Sequence, residues 1–266
     1  MKIAITGKGG VGKTTLAALL AQAYADGGKQ VLAVDADPSP CLAGALGFPG
    51  ELRERLHPIA EMDELIEERT GAKPGMVGGF FTLNPRVDDI PERFAVQHRG
   101  VRLLEMGSVE LGGSGCICPE SAMLKTLFTH LLFREDDVLI LDMYAGVEHL
   151  GRATVDFVDA MLIVAEPTRR SLGTALQIKK LAQDLGLQRL YLVGSKVRDE
   201  DDLAFLQTES ISRVGLPMLG YLPADPAVQD ADRLGLPVYE QVASLREAAR
   251  AIVSGLETSE RPATGD

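Results

Sequence analysis

Residues 2–26 read KIAITGKGGVGKTTLAALLAQAYAD, an apolar strand pattern followed at once by a glycine-rich turn and a helical pattern. The turn has the spacing of a phosphate-binding loop, a Gly, four residues and then Gly-Lys-Thr. Glycines allow backbone N–H groups to turn around the β- and γ-phosphates, and the N-terminus of the following helix adds a favourable dipole. We therefore predict a nucleotide site in which Lys13 bridges phosphate oxygens and the Thr14 hydroxyl ligates Mg²⁺. The other residues of the predicted loop are Gly7, Lys8, Gly9, Gly10, Val11, Gly12 and Thr15.

The alternation of short apolar runs and helical patterns continues along the chain. The runs are rich in Val, Ile and Leu without polar alternation, which is typical of parallel strands buried on both faces. We therefore predict the α/β class, a single domain over residues 1–256 with a mostly parallel sheet flanked by helices on both faces. A helical and turn-rich insertion is expected at residues 51–91, and a disordered tail at 257–266. The predicted strands are Lys2–Thr6, Gln30–Asp35, Val101–Met106, Val138–Asp142, Ala160–Ala165, Arg189–Ser195 and Met218–Leu222, and the predicted helices include Thr14–Asp26, Pro119–Phe133 and Ser171–Leu185.

Composition excludes several classes of protein. The 266 residues carry 27 Lys and Arg against 38 Asp and Glu, a net charge of −11, which argues against binding to a phosphate backbone. The N-terminus lacks the apolar run of a signal peptide, and no stretch approaches the ~18 apolar residues of a membrane span. Three cysteines are too few for a disulfide framework. We expect a cytoplasmic protein with reduced thiols that binds neither nucleic acid nor membrane.

Acidic residues follow the second and fourth predicted strands, in Asp35–Pro38 and in Asp142–Gly146. The carboxyl ends of parallel strands face the crevice in which such folds bind ligands. We expect Asp142 to hold the Mg²⁺ through a water molecule and the Gly146 N–H to contact the γ-phosphate. For Asp35, support of the Mg²⁺ and simple termination of the strand remain open.

A second informative stretch is GGSGCIC at residues 112–118, a C-x-C pair in a glycine-rich loop before a predicted helix. Thiolates are ligands for Zn²⁺ and Ni²⁺, but Cys116 and Cys118 supply only two of the four ligands of a closed site. A two-fold dimer would double the pair into a four-thiolate site at its interface. Inert or redox-active thiols are the alternative. Cys41 is expected to be a buried structural residue, with an approach to the metal site as the alternative. His149 is expected to be either a transient metal ligand or a turn residue.

The loop GKGGVGKTT at residues 7–15 resembles the deviant phosphate loop of the MinD/ParA/nitrogenase-iron-protein class of NTPases. The resemblance implies hydrolysis of ATP to ADP by a dimer in which Lys8 reaches the partner's phosphates, whereas a solvated loop lysine is the alternative. It also implies that Asp37 positions the attacking water at the Mg²⁺ site. In this class an Asn-Lys pair commonly reads the base. Here Ser195 and Lys196 stand at that place, and backbone groups near Pro223 are a further candidate.

Four stretches together resemble the CooC family, ATPases associated with nickel insertion into carbon monoxide dehydrogenase. They are VDADPSPCL at 34–42, GGSGCIC at 112–118, DMYAGVEHL at 142–150 and VAEP at 164–167. The resemblance implies an ATP-dependent homodimer that holds one Ni²⁺ or Zn²⁺ between two C-x-C pairs. It implies a client nickel enzyme such as carbon monoxide dehydrogenase. The alternative is a nucleotide-switched positioning or regulatory ATPase of the MinD/ParA kind that delivers no metal.

Overall fold

The computed structural model describes residues 1–75, 80–107, 118–133, 138–144 and 158–260. Its strands are β1 (Lys2–Gly7), β2 (Val31–Ala36), β3 (Val96–His98), β4 (Val101–Glu105), β5 (Val138–Met143), β6 (Ala160–Ala165), β7 (Leu190–Val197) and β8 (Met218–Pro223). They form one sheet in the order β3-β4-β2-β5-β1-β6-β7-β8. Neighbouring strands run parallel throughout except for the antiparallel pair β3 and β4. The seven predicted strands are confirmed, with ends that differ by one or two residues.

Helices connect the strands. They are α1 (Lys13–Asp26), α2 (Leu42–Ala45), α3 (Gly50–Arg53), α4 (Asp63–Thr70), α5 (Ile90–Phe94), α6 (Pro119–Phe133), α7 (Arg169–Leu185), α8 (Glu200–Glu209), α9 (Ala227–Leu234), α10 (Val238–Gln241) and α11 (Ala243–Glu260). A 3₁₀ turn covers Ile59–Glu61 and a π-helical turn covers Ser210–Val214. The Ala- and Leu-rich α1 has strong helix propensity and stops at Gly27, while α7 stops at Gly186 in the left-handed conformation. The three predicted helices are therefore confirmed.

Helices cover both faces of the sheet, as predicted. Alternate residues of β1 illustrate this, because side chains point to opposite faces along a strand. Ile3 and Ile5 lie in the buried cluster that includes residues of α1, α10 and α11. Ala4 lies in the other cluster, with residues of α6, α7 and α8. Since the central strands are buried on both sides, their carboxyl ends and the following loops form the accessible edge of the sheet.

The segment predicted as an insertion, 51–91, lies between β2 and β3 and contains the 3₁₀ turn and α4. Its Ile59, Ile66 and Ile90 are fully buried. They share a cluster with Met123 and Leu127 of α6. The segment therefore packs beside the helix that begins immediately after Cys118.

Strand β3 is absent from the prediction. It is three residues long and pairs with β4 through a turn at Arg99 and Gly100, whose φ angles are 48° and 79°. Two successive left-handed residues form the tight turn that suits the twist of a hairpin. At the other end of the chain, α11 continues to Glu260, four residues beyond the boundary predicted for the domain at residue 256. Residues 261–266 lie outside the described residues.

Candidate nucleotide-binding site

The predicted phosphate loop is the turn between β1 and α1. Gly7, Gly10 and Gly12 have φ angles of 152°, 77° and 97°. At Gly7 a Cβ atom would lie 2.5 Å from the carbonyl oxygen of Val164 on β6. At Gly12 a Cβ would lie 3.0 Å from Ser195 Oγ. Glycine is therefore required by the backbone conformation at Gly7, Gly10 and Gly12, and also by close neighbours on β6 and β7 at Gly7 and Gly12.

Helix α1 begins at Lys13, directly after this loop. Gly12 is its N-cap and has no side chain that could cap the first turn. The first N–H groups of a helix have no partner within the helix, and the dipole favours an anion there. The Lys13 side chain is buried, with 7% exposure, whereas Thr14 and Thr15 are half-buried. A buried ammonium group thus lies at an uncapped helix N-terminus, an arrangement suited to phosphate.

Asp142, near the end of β5, is 1% exposed, and neither of its carboxylate oxygens has a hydrogen-bond partner among the described residues. Burial raises the pKa of Asp142 to about 7. The nearby Thr14 hydroxyl and Lys13 ammonium lower this pKa in part, although Thr14 does not reach hydrogen-bond geometry. A buried carboxylate without a partner is unfavourable. Because Mg²⁺ binds to few protein oxygens and retains several waters, an ion between Thr14 and Asp142 fits this donor set.

Asp35, at the end of β2, uses both carboxylate oxygens within the protein. Oδ1 accepts the N–H of Asp37 at 3.1 Å. Oδ2 accepts the N–H groups of Cys41 and Leu42 at 2.9 and 2.8 Å. Of the two roles left open for Asp35, these bonds favour the structural one, since they hold the whole loop 37–42. Asp37 itself is half-buried and acts electrostatically on Asp142, so the two carboxylates belong to one acidic group.

Glu105 is a further acidic residue at this edge and is not among the predicted site residues. It ends β4 and lies opposite Asp35 in the strand register. Burial, together with the carboxylates of Asp35 and Glu61, raises the pKa of Glu105 to about 7. With Thr14 and Cys41 it lines one pocket at the edge of the sheet. The signal available in the sequence was its place as the last acidic residue of a predicted parallel strand.

Two of the residues proposed for base recognition, Ser195 and Lys196, contact the phosphate loop. Ser195 is 3% exposed and lies against Gly12. The Lys196 Nζ donates to the carbonyl oxygen of Gly10 at 2.7 Å and lies 2.6 Å from Glu166 Oε1. Its φ of 57° is left-handed, which is unfavourable for a lysine. Pro223, the last residue of β8, pairs with Val197. The observed role of Lys196 is to hold the loop, and base recognition by these residues stays a prediction.

The cysteines are only partly described. Cys118 is half-buried directly before α6, and its thiol donates to Ser121 Oγ at 3.0 Å. Cys116, Gly146 and His149 lie outside the described residues. The expectation that Cys41 is buried is wrong, because the residue is exposed and its thiol lies 3.7 Å from Thr14 Oγ1. Within the described ranges, no group of three or more His, Cys, Asp or Glu side chains is placed to hold a metal ion.

Comparisons with known proteins agree with this geometry. Residues 2–238 match the family described as the CobQ/CobB/MinD/ParA nucleotide binding domain, and the chain belongs to this family. The MinD cell division protein of Aquifex aeolicus has the same fold, with a TM-score of 0.67, 23% sequence identity and coverage of 98% of both chains.

Within the family, the resemblance to CooC is confirmed. The chain is 45% identical over 265 residues to the carbon monoxide dehydrogenase accessory protein CooC of Rhodospirillum rubrum, covering 100% of this chain and 99% of that protein. It is also 48% identical over 238 residues to an ATP-binding protein of Methanocaldococcus jannaschii, covering 90% and 91% of the two chains. Among the described residues, no helix has the length and apolar character that a membrane crossing requires.

Removal of the Lys196 ammonium is expected to loosen the phosphate loop. Lys196→Met should lower ADP affinity about tenfold, the loss expected for one charge-assisted hydrogen bond, as measured by isothermal titration calorimetry. Lys179→Met is the matched control, because Lys179 Nζ also donates to backbone carbonyls, those of Val214 and Gly215, on another part of the chain. Equal effects of the two variants on ADP affinity would contradict the role assigned to Lys196.

Ionised Asp142 is expected to destabilise the protein when nucleotide and Mg²⁺ are absent. The pKa of Asp142 in the folded protein is about 7, above the ordinary value of 3.8. Ionisation of Asp142 therefore costs no folding stability below about pH 3.8. The loss of stability grows as the pH rises from 3.8 to about 7 and is complete above that. Asp142→Asn should therefore raise the free energy of unfolding by roughly 2 kcal/mol at about pH 8, and by little at about pH 4. Urea unfolding measures this. A variant that is less stable than the wild type at the higher pH would contradict it.

Proposed function

We propose that this chain is an ATP-dependent metal carrier that works as a homodimer and assists nickel insertion into an enzyme of the carbon monoxide dehydrogenase type. The cargo is one Ni²⁺ or Zn²⁺ ion held by the C-x-C pairs of two protomers. The family and the full-length similarity to CooC support this function. The observation that carries it is the attachment of the described residues on either side of the cysteine loop, Met106 and Cys118, to the sheet and core around the nucleotide site.

That attachment involves both ends of the loop. On one side, β4 ends beside Asp35, and the Met106 N–H donates to the Asp35 carbonyl oxygen at 2.8 Å. On the other side, Cys118 precedes α6, whose Met123 and Leu124 share a buried cluster with Met143 of β5. The segment before the cysteines is therefore bonded to the residue that holds the Asp37 loop, and the helix after them belongs to the same buried core as the strand that carries Asp142. A rearrangement of either acidic loop on ATP hydrolysis would act on the cysteines.

The residues around the phosphate loop supply the hydrolytic chemistry in this proposal. Lys13 binds phosphate oxygens, Thr14 and Asp142 hold Mg²⁺, and bound Mg²⁺ neutralises charge on those oxygens. Asp37 orients the attacking water. Lys8 of one protomer completes the site of the other, as an arginine finger does in other NTPases.

Two thiolates per protomer require a dimer. A closed tetrahedral site for Zn²⁺ takes four ligands, and Cys116 and Cys118 supply two. A two-fold axis through the metal places the same pair on both sides. Nucleotide and metal are then coupled, and each changes the affinity of the other by the same factor.

Metal content tests the proposed carrier function. Nucleotide-free protein loaded with Ni²⁺ or Zn²⁺ and freed of excess metal should retain about one ion per dimer, the stoichiometry of a shared four-thiolate site. The double variant Cys116→Ser/Cys118→Ser should retain almost none. Cys41→Ser is the matched control and should retain the wild-type content. Wild-type content in the double variant would refute the metal carrier and favour a positioning or regulatory ATPase.

The role of Lys8 in the partner's site is tested by its removal. Lys8→Ala should lower ATP turnover about 10³-fold, as loss of an arginine finger does, because charge in the transition state is no longer balanced. ADP binding, measured in parallel, should persist because Lys13 remains. Normal turnover in this variant would contradict the assigned role.

Mixed dimers show whether Lys8 acts within its own protomer or across the interface. Neither Lys8→Ala nor Asp37→Ala alone should turn over ATP. In a mixed dimer, the Lys8→Ala protomer retains Asp37 and receives Lys8 from the Asp37→Ala partner. Random mixing should therefore restore about a quarter of the wild-type turnover if Lys8 acts across the interface. An inactive mixture would show that it does not.

A further inference from the structure

Cys41 is fixed beside the phosphate loop by contacts at both ends of the residue. Its backbone N–H donates to Asp35 Oδ2 at 2.9 Å. Its thiol donates to Thr14 Oγ1 at 3.7 Å. An otherwise exposed residue is therefore held with its sulfur against the hydroxyl that is assigned to the nucleotide's cation.

A second observation at the same hydroxyl points to a cation. Asp142 is 1% exposed, and among the described residues neither of its oxygens has a hydrogen-bond partner. The Thr14 hydroxyl partly offsets the rise that burial gives the pKa of Asp142, and the Asp142 carboxylate adds to the rise that burial gives the pKa of the Cys41 thiol. A buried carboxyl group, a hydroxyl and a thiol thus lie near one another, and a positive ion can bind all three.

The separation of the sulfur and oxygen atoms allows one ion to bind both. A divalent ion lies about 2.1 Å from an oxygen ligand and about 2.3 Å from a thiolate sulfur. Such an ion can bridge atoms up to about 4.4 Å apart, the sum of these bond lengths, and Sγ lies 3.7 Å from Thr14 Oγ1. Oxygen ligands alone suit Mg²⁺, whereas an added thiolate favours thiophilic ions.

The protein alone does not complete this coordination sphere. Within the described ranges there is no cluster of three or more His, Cys, Asp or Glu side chains placed around a metal position. Phosphate oxygens of a bound nucleotide would supply the remaining ligands, next to Thr14 at the start of α1. Binding of a thiophilic ion should therefore depend on the nucleotide.

We propose that Cys41 is a metal ligand in the nucleotide complex. Its sulfur binds a thiophilic divalent cation, such as Co²⁺, Zn²⁺, Ni²⁺ or Cd²⁺, which competes with Mg²⁺ for the site. On binding, the thiol releases its proton to solvent and the thiolate donates to the metal. The site rests on nucleotide binding by the phosphate loop and is independent of the C-x-C pair. It therefore persists even if the carrier function fails.

The test uses full-length protein in which Cys41 is the last remaining cysteine. The chain has three cysteines, so the Cys116→Ser/Cys118→Ser variant isolates Cys41. Co²⁺ serves as the probe, because a cobalt–thiolate bond produces a charge-transfer absorption band. The band should appear when Co²⁺ and ADP are both present, and it should be absent with Co²⁺ alone. Absence of the band in the presence of ADP and Co²⁺ would overturn the proposal.

Two further variants assign the band. Addition of Cys41→Ser to the double variant should abolish it, and persistence of the band would overturn the proposal. Ser39→Ala in the same background is the matched control, since Ser39 lies on the same loop and its N–H donates to Asp37 Oδ1. The band should remain in that control. Circular dichroism confirms that each variant is folded.

A selectivity measurement separates a metal ligand from a residue that only supports the loop. The ratio of Cd²⁺-dependent to Mg²⁺-dependent ADP affinity should fall about tenfold in Cys41→Ser. A supporting role would change both affinities together and leave the ratio constant, which would contradict the proposal. If the variant does not fold, alkylation of Cys41 in the double variant gives the answer. ADP with Cd²⁺ should slow iodoacetamide more than ADP with Mg²⁺, and equal protection would overturn the proposal.

Discussion

The arrangement of this site depends on the hydrogen bonds of the buried Asp35 side chain. The side chain accepts the N–H groups of Asp37, Cys41 and Leu42, while the Asp35 carbonyl oxygen accepts the N–H of Met106. One residue therefore shapes the loop after β2, orients the thiol next to the phosphate loop and anchors the beginning of the cysteine loop. Hydrogen bonds to a buried carboxylate are among the stronger ones in proteins, and loss of such an acceptor leaves several amides unsatisfied.

The edge of the sheet around Asp35 is strongly acidic, although the nucleotide that this family binds is itself an anion. Asp142 and Glu105 both have a pKa raised to about 7 by burial and by neighbouring carboxylates. Lys13 and the N-terminus of α1 attract phosphate, but the carboxylates repel it. A divalent cation resolves this conflict because it binds phosphate and carboxylate groups at once. In the free protein, protons partly neutralise these carboxyl groups near neutral pH, and the cation of the metal–nucleotide complex would take the place of those protons.

Residues near the phosphate loop were predictable from the sequence because chemistry restricts them locally. Recognisable patterns of residue types mark three features: glycines at positive φ, a lysine at the start of a helix, and apolar strands buried on both faces. Three features were not predictable, since each depends on contacts between distant residues. Strand β3 is too short to show alternation, Cys41 is next to apolar Leu42 yet exposed, and Glu105 is a half-buried strand end whose pKa is raised by burial and by Asp35 and Glu61.

The position of β1 at the centre of the sheet has a consequence for the order in which the protein can assemble during synthesis. Strand β1 leaves the ribosome well before its partners β5 and β6, in which Ile140 and Ala160 lie opposite Ile3. Pairings between residues so far apart in the chain form slowly, because the entropy lost on closing a long loop is compensated only after the strands are in contact. The phosphate loop must therefore remain without its supporting strands until β5 and β6 have been translated. Nascent chains are unable to bind nucleotide until then, so the ligand contributes nothing to the stability of early intermediates.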